Sequence, residues 1–186
     1  MVKIKHYSEA SKVFQTNHQK ISTIVKCEGS SYKKQKQLYR ITNYFKPKNV
    51  LELGTSVGLG SAAMAIDSNN SIITTIEVNK NISAIAKKVF KSYQLKNIKI
   101  DTSSFKDFFK KSNYENLDLV YLDGTCDKES TIENFNSLLK HSHNESVFII
   151  NNIYWSKEMT EAWNIIKNQK EITVSIDTFY WGFLFF

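Results

Sequence analysis

Val50-Leu51-Glu52-Leu53-Gly54-Thr55-Ser56-Val57-Gly58-Leu59-Gly60-Ser61 is the stretch on which the reading of the whole chain turns. An apolar run of strand character enters it. A loop with three glycines, half of the six in the protein, leaves it. Glycine lets the backbone turn sharply and lets a ligand approach main-chain atoms closely. A helix beginning just after such a loop offers unpaired N–H groups to a bound molecule. The spacing is G-x-x-x-G-x-G, which is not the dinucleotide spacing G-x-G-x-x-G. The loop also lacks the Gly-Lys-Ser/Thr of a phosphate loop, so ATP hydrolysis is not expected.

Outward from the loop, short apolar runs alternate with helical periodicities. Strands are expected at Asn49–Leu53, Ser71–Ile76, Asn97–Ile100, Leu117–Leu122 and Val147–Ile150. Helices are expected at Ser61–Asp67, through Ile82, Ile85, Ala86, Val89 and Phe90, near Phe105–Phe109, at Thr131–Leu139 and at Met159–Ile166. Five such units imply a doubly wound α/β fold with a parallel sheet and helices on both faces. The runs Ile172–Ile176 and Tyr180–Phe186, joined at Asp177-Thr178, read as a closing β-hairpin. Before Pro47, the only proline, Val13, Ile21, Ile24, Val25, Leu38, Ile41, Tyr44 and Phe45 fall at helical spacings, with no convincing strand. We therefore divide the chain into an N-terminal helical cap, 1–46, and a sheet domain, 47–186, within one globular unit. Ligands of such sheets bind beyond the C-terminal ends of the strands.

Composition bounds the function. The 186 residues are 41% hydrophobic and 23% charged, which supports one core and excludes global disorder. The net charge is +7, but Arg40 is the only arginine among 25 basic residues. Nucleic-acid readers lean on arginine for bidentate contacts, so the lysines read as solvated surface and no nucleic-acid partner is expected. No apolar run spans a bilayer, and Met1–His6 is followed by no apolar stretch of a secretory signal. Cys27 and Cys126 form no CxxC pair, and His6, His18, His141 and His143 show no metal spacing. The expectation is a cytoplasmic protein with free thiols and solvated histidines, a small-molecule partner and no membrane. A homodimer is its candidate assembly.

The second strand ends at Ile76-Glu77-Val78. An acid there can accept hydrogen bonds from both hydroxyls of a ribose. With the glycine loop, Val50–Gly58 resembles motif I of class I S-adenosylmethionine-dependent methyltransferases. The flavour is that of the small O-methyltransferases of the catechol and caffeoyl-CoA type. The resemblance covers roughly residues 30–186 and implies a Rossmann-like seven-stranded sheet of order 3-2-1-4-5-7-6 with strand 7 antiparallel. It implies S-adenosylmethionine as cofactor, with Glu52, Gly54, Thr55, Ser56, Gly58, Gly60 and Ser61 near its methionine part. Glu77, with Val78 beside it, would bind the ribose. Where the family often has Gly-Asp-Ala after strand three, this chain has Ser103-Ser104-Phe105, so Ser104 and Phe105 are assigned to the adenine.

Leu117-Asp118-Leu119-Val120-Tyr121-Leu122-Asp123-Gly124 resembles the family's motif IV, and Asp123 is the candidate catalytic residue, close to both cofactor and acceptor. In metal-dependent members this Asp binds a divalent cation together with an Asp and an Asn after strand five. The matching positions here are Asn151 and Asn152. Asp-Asn-Asn carries one negative charge where Asp-Asp-Asn carries two, so a magnesium site at Asp123, Asn151 and Asn152 is disfavoured. Tyr154 and Trp155 are placed at the wall of an acceptor pocket. Asp127 and Glu129 read as capping acids, Cys126 as a small buried residue, and Trp163 as core. His18, Tyr32, Lys36 and Gln37 are the cap residues expected over the cofactor.

These readings point to O-methylation of a small molecule by in-line transfer. The alternative is a non-catalytic protein of the same fold, a cofactor-binding or partner subunit with a degraded metal and acceptor site. Methylation of nucleic-acid amino groups needs an Asn/Asp-Pro-Pro-aromatic motif, and cytosine C5 methylation often a Pro-Cys pair. With Pro47 alone, neither is available.

Overall fold

Lys46 ends the N-terminal helices in a left-handed conformation (φ 49°), its N–H donating to the Thr42 carbonyl. Pro47 then forbids further helix, and the sheet begins two residues later. The computed structural model describes residues 2–3, 18–27, 29–111 and 116–186. Val13 and His6 lie outside them.

The N-terminal part holds β1 (Val2–Lys3) and β2 (His18–Gln19), a short antiparallel pair that the helical spacings did not announce. Helices α1 (Ile21–Cys27) and α2 (Tyr32–Phe45) follow. The sheet domain runs β3 (Asn49–Leu53), α3 (Leu59–Ala65), β4 (Ile72–Ile76), α4 (Lys80–Ser92), β5 (Ile98–Asp101) and α5 (Phe105–Lys111). It continues with β6 (Leu119–Leu122), α6 (Lys128–Leu139), β7 (Val147–Asn151), α7 (Lys157–Ile166), β8 (Val174–Asp177) and β9 (Trp181–Phe185).

The sheet order is β5-β4-β3-β6-β7-β9-β8, and β9 pairs antiparallel with both β7 and β8. Counted along the sheet strands, this is 3-2-1-4-5-7-6 with the seventh reversed, as expected. The central strands β6 and β7 are buried throughout, while β8 at the edge is exposed throughout. Central parallel strands are covered on both faces, so their sequences read as continuous apolar runs.

Alternation along β3 sorts its side chains. Leu51 and Leu53 face one core, closed by Phe108 of α5, Phe135 and Leu138 of α6, and Met159, Trp163 and Ile166 of α7. Val50 faces the other, closed by Leu38 of α2 and Met64 of α3. Glu52 shares that second face. It is the one acid inside β3, and its burial marks the site. Among the described residues no helix is long and apolar enough to cross a membrane.

Two local expectations change. His143 is half-buried, and its Nε2 lies 3.1 Å from Asp118 Oδ1, so it is not a solvated loop histidine. Asp118 Oδ2 in turn accepts the N–H groups of Lys48 and Asn49, pinning the start of β3. Asp127 caps α6 by accepting the Ser130 N–H, which extends the helix by three residues beyond the expected Thr131.

Candidate functional site

The site lies at the C-terminal ends of β3, β4, β6 and β7. Gly54 leaves β3 with φ 100°, and its N–H and that of Thr55 both donate to the Ile76 carbonyl. A Cβ on Gly54 would stand 2.7 Å from the backbone N of Gly124. The loops after β3 and β6 therefore touch main chain to main chain, which only glycine permits. Ser56, at the tip, holds φ 48°, an uncommon conformation for a residue with a side chain. What holds it is Glu77. One Glu77 oxygen accepts the Ser56 N–H at 2.9 Å, and the other accepts the Asn79 N–H at 2.9 Å. Glu77 thus ties the loop to the start of α4, and Asn79 caps that helix. The hydroxyl oxygen of Ser56 is buried without a hydrogen-bond partner. A loop with an unpaired buried hydroxyl and glycine-only contacts is a cradle that a polar ligand would complete.

Glu52 lies beneath this cradle, 1% exposed. Its Oε2 accepts hydrogen bonds from the Ser61 hydroxyl and, at 2.6 Å, from Thr75. Thr55 Oγ1 lies 2.6 Å from Thr75 Oγ1. With the Thr75 proton given to Glu52, Thr55 is the donor of that pair. Burial, opposed by the two hydroxyl donors and reinforced by the charges of Asp123 and Glu77, pushes the Glu52 carboxyl up to about 8. It is therefore a neutral carboxylic acid at pH 7. A Cβ on Gly60 would stand 2.6 Å from its Oε1 and 3.2 Å from Ser30 Oγ, so the N-terminal segment also closes here. Ile24 of α1, fully buried against Val57 and Ile82, covers the loop from outside.

Asp123 ends β6 in a half-buried position. Its Oδ1 accepts from the side-chain amide of Asn151, and its Oδ2 from the hydroxyl of Tyr121 at 3.2 Å. Burial raises its carboxyl to about 6, against the opposing pull of the Lys34 charge and the two donors. Burial and the nearby acids hold the Tyr121 phenol well above its ordinary value. Asn151, 3% exposed, is the hub. Its Oδ1 accepts from Trp181 Nε1 at 2.8 Å and from Lys34 Nζ at 2.9 Å. Lys34 Nζ also donates to Asn152 Oδ1 at 3.2 Å.

The structure thus brings together Glu52, the glycine loop, Glu77, Asp123, Asn151 and Asn152 at one edge of the sheet. It disposes of the other candidates differently. Val78 is half-exposed between Glu77 and the α4 cap. Ser104 is exposed; its hydroxyl donates to Asp107 and accepts the Asp107 N–H, forming a cap at the start of α5. Phe105 lies with its ring against the backbone of Gly124. Tyr154 turns to the hairpin, its hydroxyl donating to Asp177 and its ring 5.5 Å from Phe179, while Trp155 is 69% exposed. Tyr32, Lys36 and Gln37 point to solvent; Ile24, Ser30 and Lys34 are the cap residues that reach the site.

Sequence reasoning passed over three residues. Lys34 gave no local signal. Trp181 had one, since it pairs with Asn151 across the antiparallel β7–β9 register that the hairpin implied. Asp101, the last residue of β5, sits beside Ile76, and its carboxyl is held low by the N–H and hydroxyl of Ser103. An acid two residues before Ser103, at the end of an apolar run, was legible in the sequence.

The donor set does not suit a divalent cation. Hard cations want several carboxylate oxygens. Here one carboxylate is present, both asparagine oxygens accept from an ammonium, and the Asn151 amide nitrogen is aimed at Asp123. Among the described residues no group of three or more His, Cys, Asp or Glu side chains could hold a metal.

A family model described as O-methyltransferase matches residues 12–177. The sequence matches no curated protein. Many solved structures share the fold. An O-methyltransferase from Bacillus cereus, solved with S-adenosylhomocysteine, is 18% identical with a TM-score of 0.72 over 94% of this chain and 93% of that one. TomG from Streptomyces achromogenes, an O-methyltransferase of tomaymycin synthesis solved with S-adenosylmethionine, is 15% identical with a TM-score of 0.72, covering 94% and 92%. An S-adenosylhomocysteine-bound methyltransferase from Podospora anserina is 16% identical with a TM-score of 0.73, covering 83% and 78%.

Proposed function

The chain belongs to the O-methyltransferase family, and on that premise we propose that it methylates a hydroxyl oxygen of a small molecule with S-adenosylmethionine. The observation that carries this reading is the cradle itself. The glycine loop, held by Glu77 and offering the Ser56 hydroxyl, meets the Asp123 loop at the Gly54–Gly124 contact. A cofactor pocket and a carboxylate thereby share one edge. The fold neighbours solved with S-adenosylmethionine or S-adenosylhomocysteine support the choice of cofactor.

Glu77 is a carboxylate at the end of β4, a group with the chemistry to accept hydrogen bonds from ribose hydroxyls. The neutral Glu52 adds no charge that would compete with Asp123. When bound, S-adenosylmethionine would supply a sulfonium methyl for the acceptor oxygen, the C–S bond pair staying on sulfur, and the acceptor's proton would have to leave. Asp123, ionised above about pH 6, receives that proton. Asn151 and Tyr121 hold its two oxygens in place.

The test is transfer of labelled methyl from S-adenosylmethionine to a panel of phenols and aliphatic alcohols, with chelator present. Labelled product with the native chain, and none with Asp123→Asn, supports the reading. An unlabelled panel despite bound cofactor would point to the non-catalytic alternative.

A further inference from the structure

Lys34 sits in the first turn of α2, where no acidic residue accompanies it. A cation at a helix N-terminus opposes the macrodipole. Its neighbours Lys33 and Lys36 are exposed, while Lys34 is half-buried. The groups that hold it inward are the side-chain oxygens of Asn151 and Asn152, at 2.9 and 3.2 Å. The Asn151 amide cannot turn over. Its nitrogen donates to Asp123 and its oxygen accepts from both Trp181 and Lys34, so a flip would set donor against donor twice and acceptor against acceptor once. Asn152 is fixed by its left-handed backbone (φ 57°) and by its N–H donating to the Tyr180 carbonyl. The two oxygens are therefore built to face a cation, and the cation is an ammonium.

We propose that Lys34 is the resident cation of the acceptor site, its ammonium filling the place between Asp123, Asn151 and Asn152 that a divalent ion takes in metal-dependent relatives, and that it positions the acceptor oxygen. This rests on the methyl-transfer reading above. An ammonium has three N–H donors. Two are given to the asparagines, and the third is the donor left for an acceptor oxygen. A hydrogen bond from a cation favours the deprotonated acceptor. Lys34 and Asp123 together are neutral, so the arrangement is complete without a metal. A divalent ion entering beside a fixed ammonium would be repelled by it.

The test is Mn²⁺ binding, read by water proton relaxation, on the native chain, Lys34→Met and Lys34→Met/Asn151→Asp. S-adenosylhomocysteine binding is measured on all three by calorimetry. The proposal expects the native chain to bind Mn²⁺ least and the double variant to bind it at least about tenfold tighter, since the ammonium is gone and a carboxylate is added. S-adenosylhomocysteine affinity stays within about threefold throughout, the cradle being untouched. Equal Mn²⁺ affinity in all three proteins, weak or tight, overturns the proposal. Tight binding by the native chain that Asn152→Ala removes also overturns it. If the double variant does not fold, Lys34→Met against the native chain gives the same comparison with a smaller expected gain. Loss of S-adenosylhomocysteine binding in the native chain sinks the cofactor reading instead, and leaves the Mn²⁺ arm to judge Lys34 alone.

Discussion

The two halves of the site are built from different materials. The cradle half is mostly backbone: Gly54, the strained Ser56, the start of α3 and α4, all tied by Glu77 across 21 positions. The acceptor half is almost all side chain, and its key contact joins Lys34 to Asn151 across 117 positions. Backbone geometry leaves a signature in the sequence because only certain residues can adopt it. A side-chain contact between distant elements leaves none, because many sequences could make it. The first half of the site is therefore legible in the sequence, while the second emerges only once the chain is folded.

The largest expected effect falls on the acceptor half alone. Asp123→Asn keeps the shape and the Asn151 neighbourhood but removes the proton acceptor. Turnover should fall by about 10²–10⁴, the usual worth of a general base, with S-adenosylhomocysteine affinity nearly unchanged. In the native chain the rate should rise with pH through about 6, where burial, opposed by Lys34, Asn151 and Tyr121, sets the ionisation of the Asp123 carboxyl. A pH profile flat across that range, or an equal loss of cofactor binding, would break the division between the halves.

A smaller effect should fall on the cradle alone. Gly60→Ala forces a methyl against Glu52 Oε1, which Ser61 and Thr75 hold from moving away. Overpacking of this kind costs about 1–3 kcal/mol. Chemical denaturation should show that loss, together with weaker S-adenosylhomocysteine binding.

A third effect, read only as a function of pH, probes the residue between the halves. Glu52 feels the charges of both Glu77 and Asp123. Its folded carboxyl is raised to about 8 from 4.5, so folding binds a proton between those values. Native stability contributed at this position is therefore greatest below pH 4.5 and declines as pH rises to about 8. Glu52→Gln removes the titration and keeps an oxygen to accept from Ser61 and Thr75. Its melting temperature relative to the native chain should climb from pH 5 to pH 8 and then level. A constant difference across that range would mean that Glu52 is ionised and the cradle more polar than described.

Much of the fold was legible, and for physical reasons. Short apolar runs, helical spacings and the lone Pro47 fix which segments pair and where the cap ends. The antiparallel seventh strand followed from a short turn at Asp177, whose side chain accepts the Phe179 N–H. The brief β1–β2 pair had no such pattern, being two residues per strand. In the site, Gly54, Gly58, Glu77 and Asp123 stood out because turn geometry and strand ends restrict what can occupy them. Ser104 has a local partner. Ser104-x-x-Asp107 is a capping pattern, and the helix uses the hydroxyl that the adenine was expected to meet. Tyr154 was read by proximity in sequence, but its hydroxyl is drawn to Asp177 in the hairpin loop. Lys34 could not be singled out, since nothing along α2 separates it from Lys33 or Lys36 until β7 is brought beside it.

The most direct test of the account is calorimetric titration of S-adenosylhomocysteine into the native chain and into Glu77→Ala, both with chelator. Glu77 ties the loop to the start of α4, and the proposed function assigns it to the ribose. The account predicts binding to the native chain without any metal, and a loss of about 1.5–3 kcal/mol, the worth of hydrogen bonds to a charged group, in Glu77→Ala. No binding to the native chain, or the same affinity in both proteins, would contradict it.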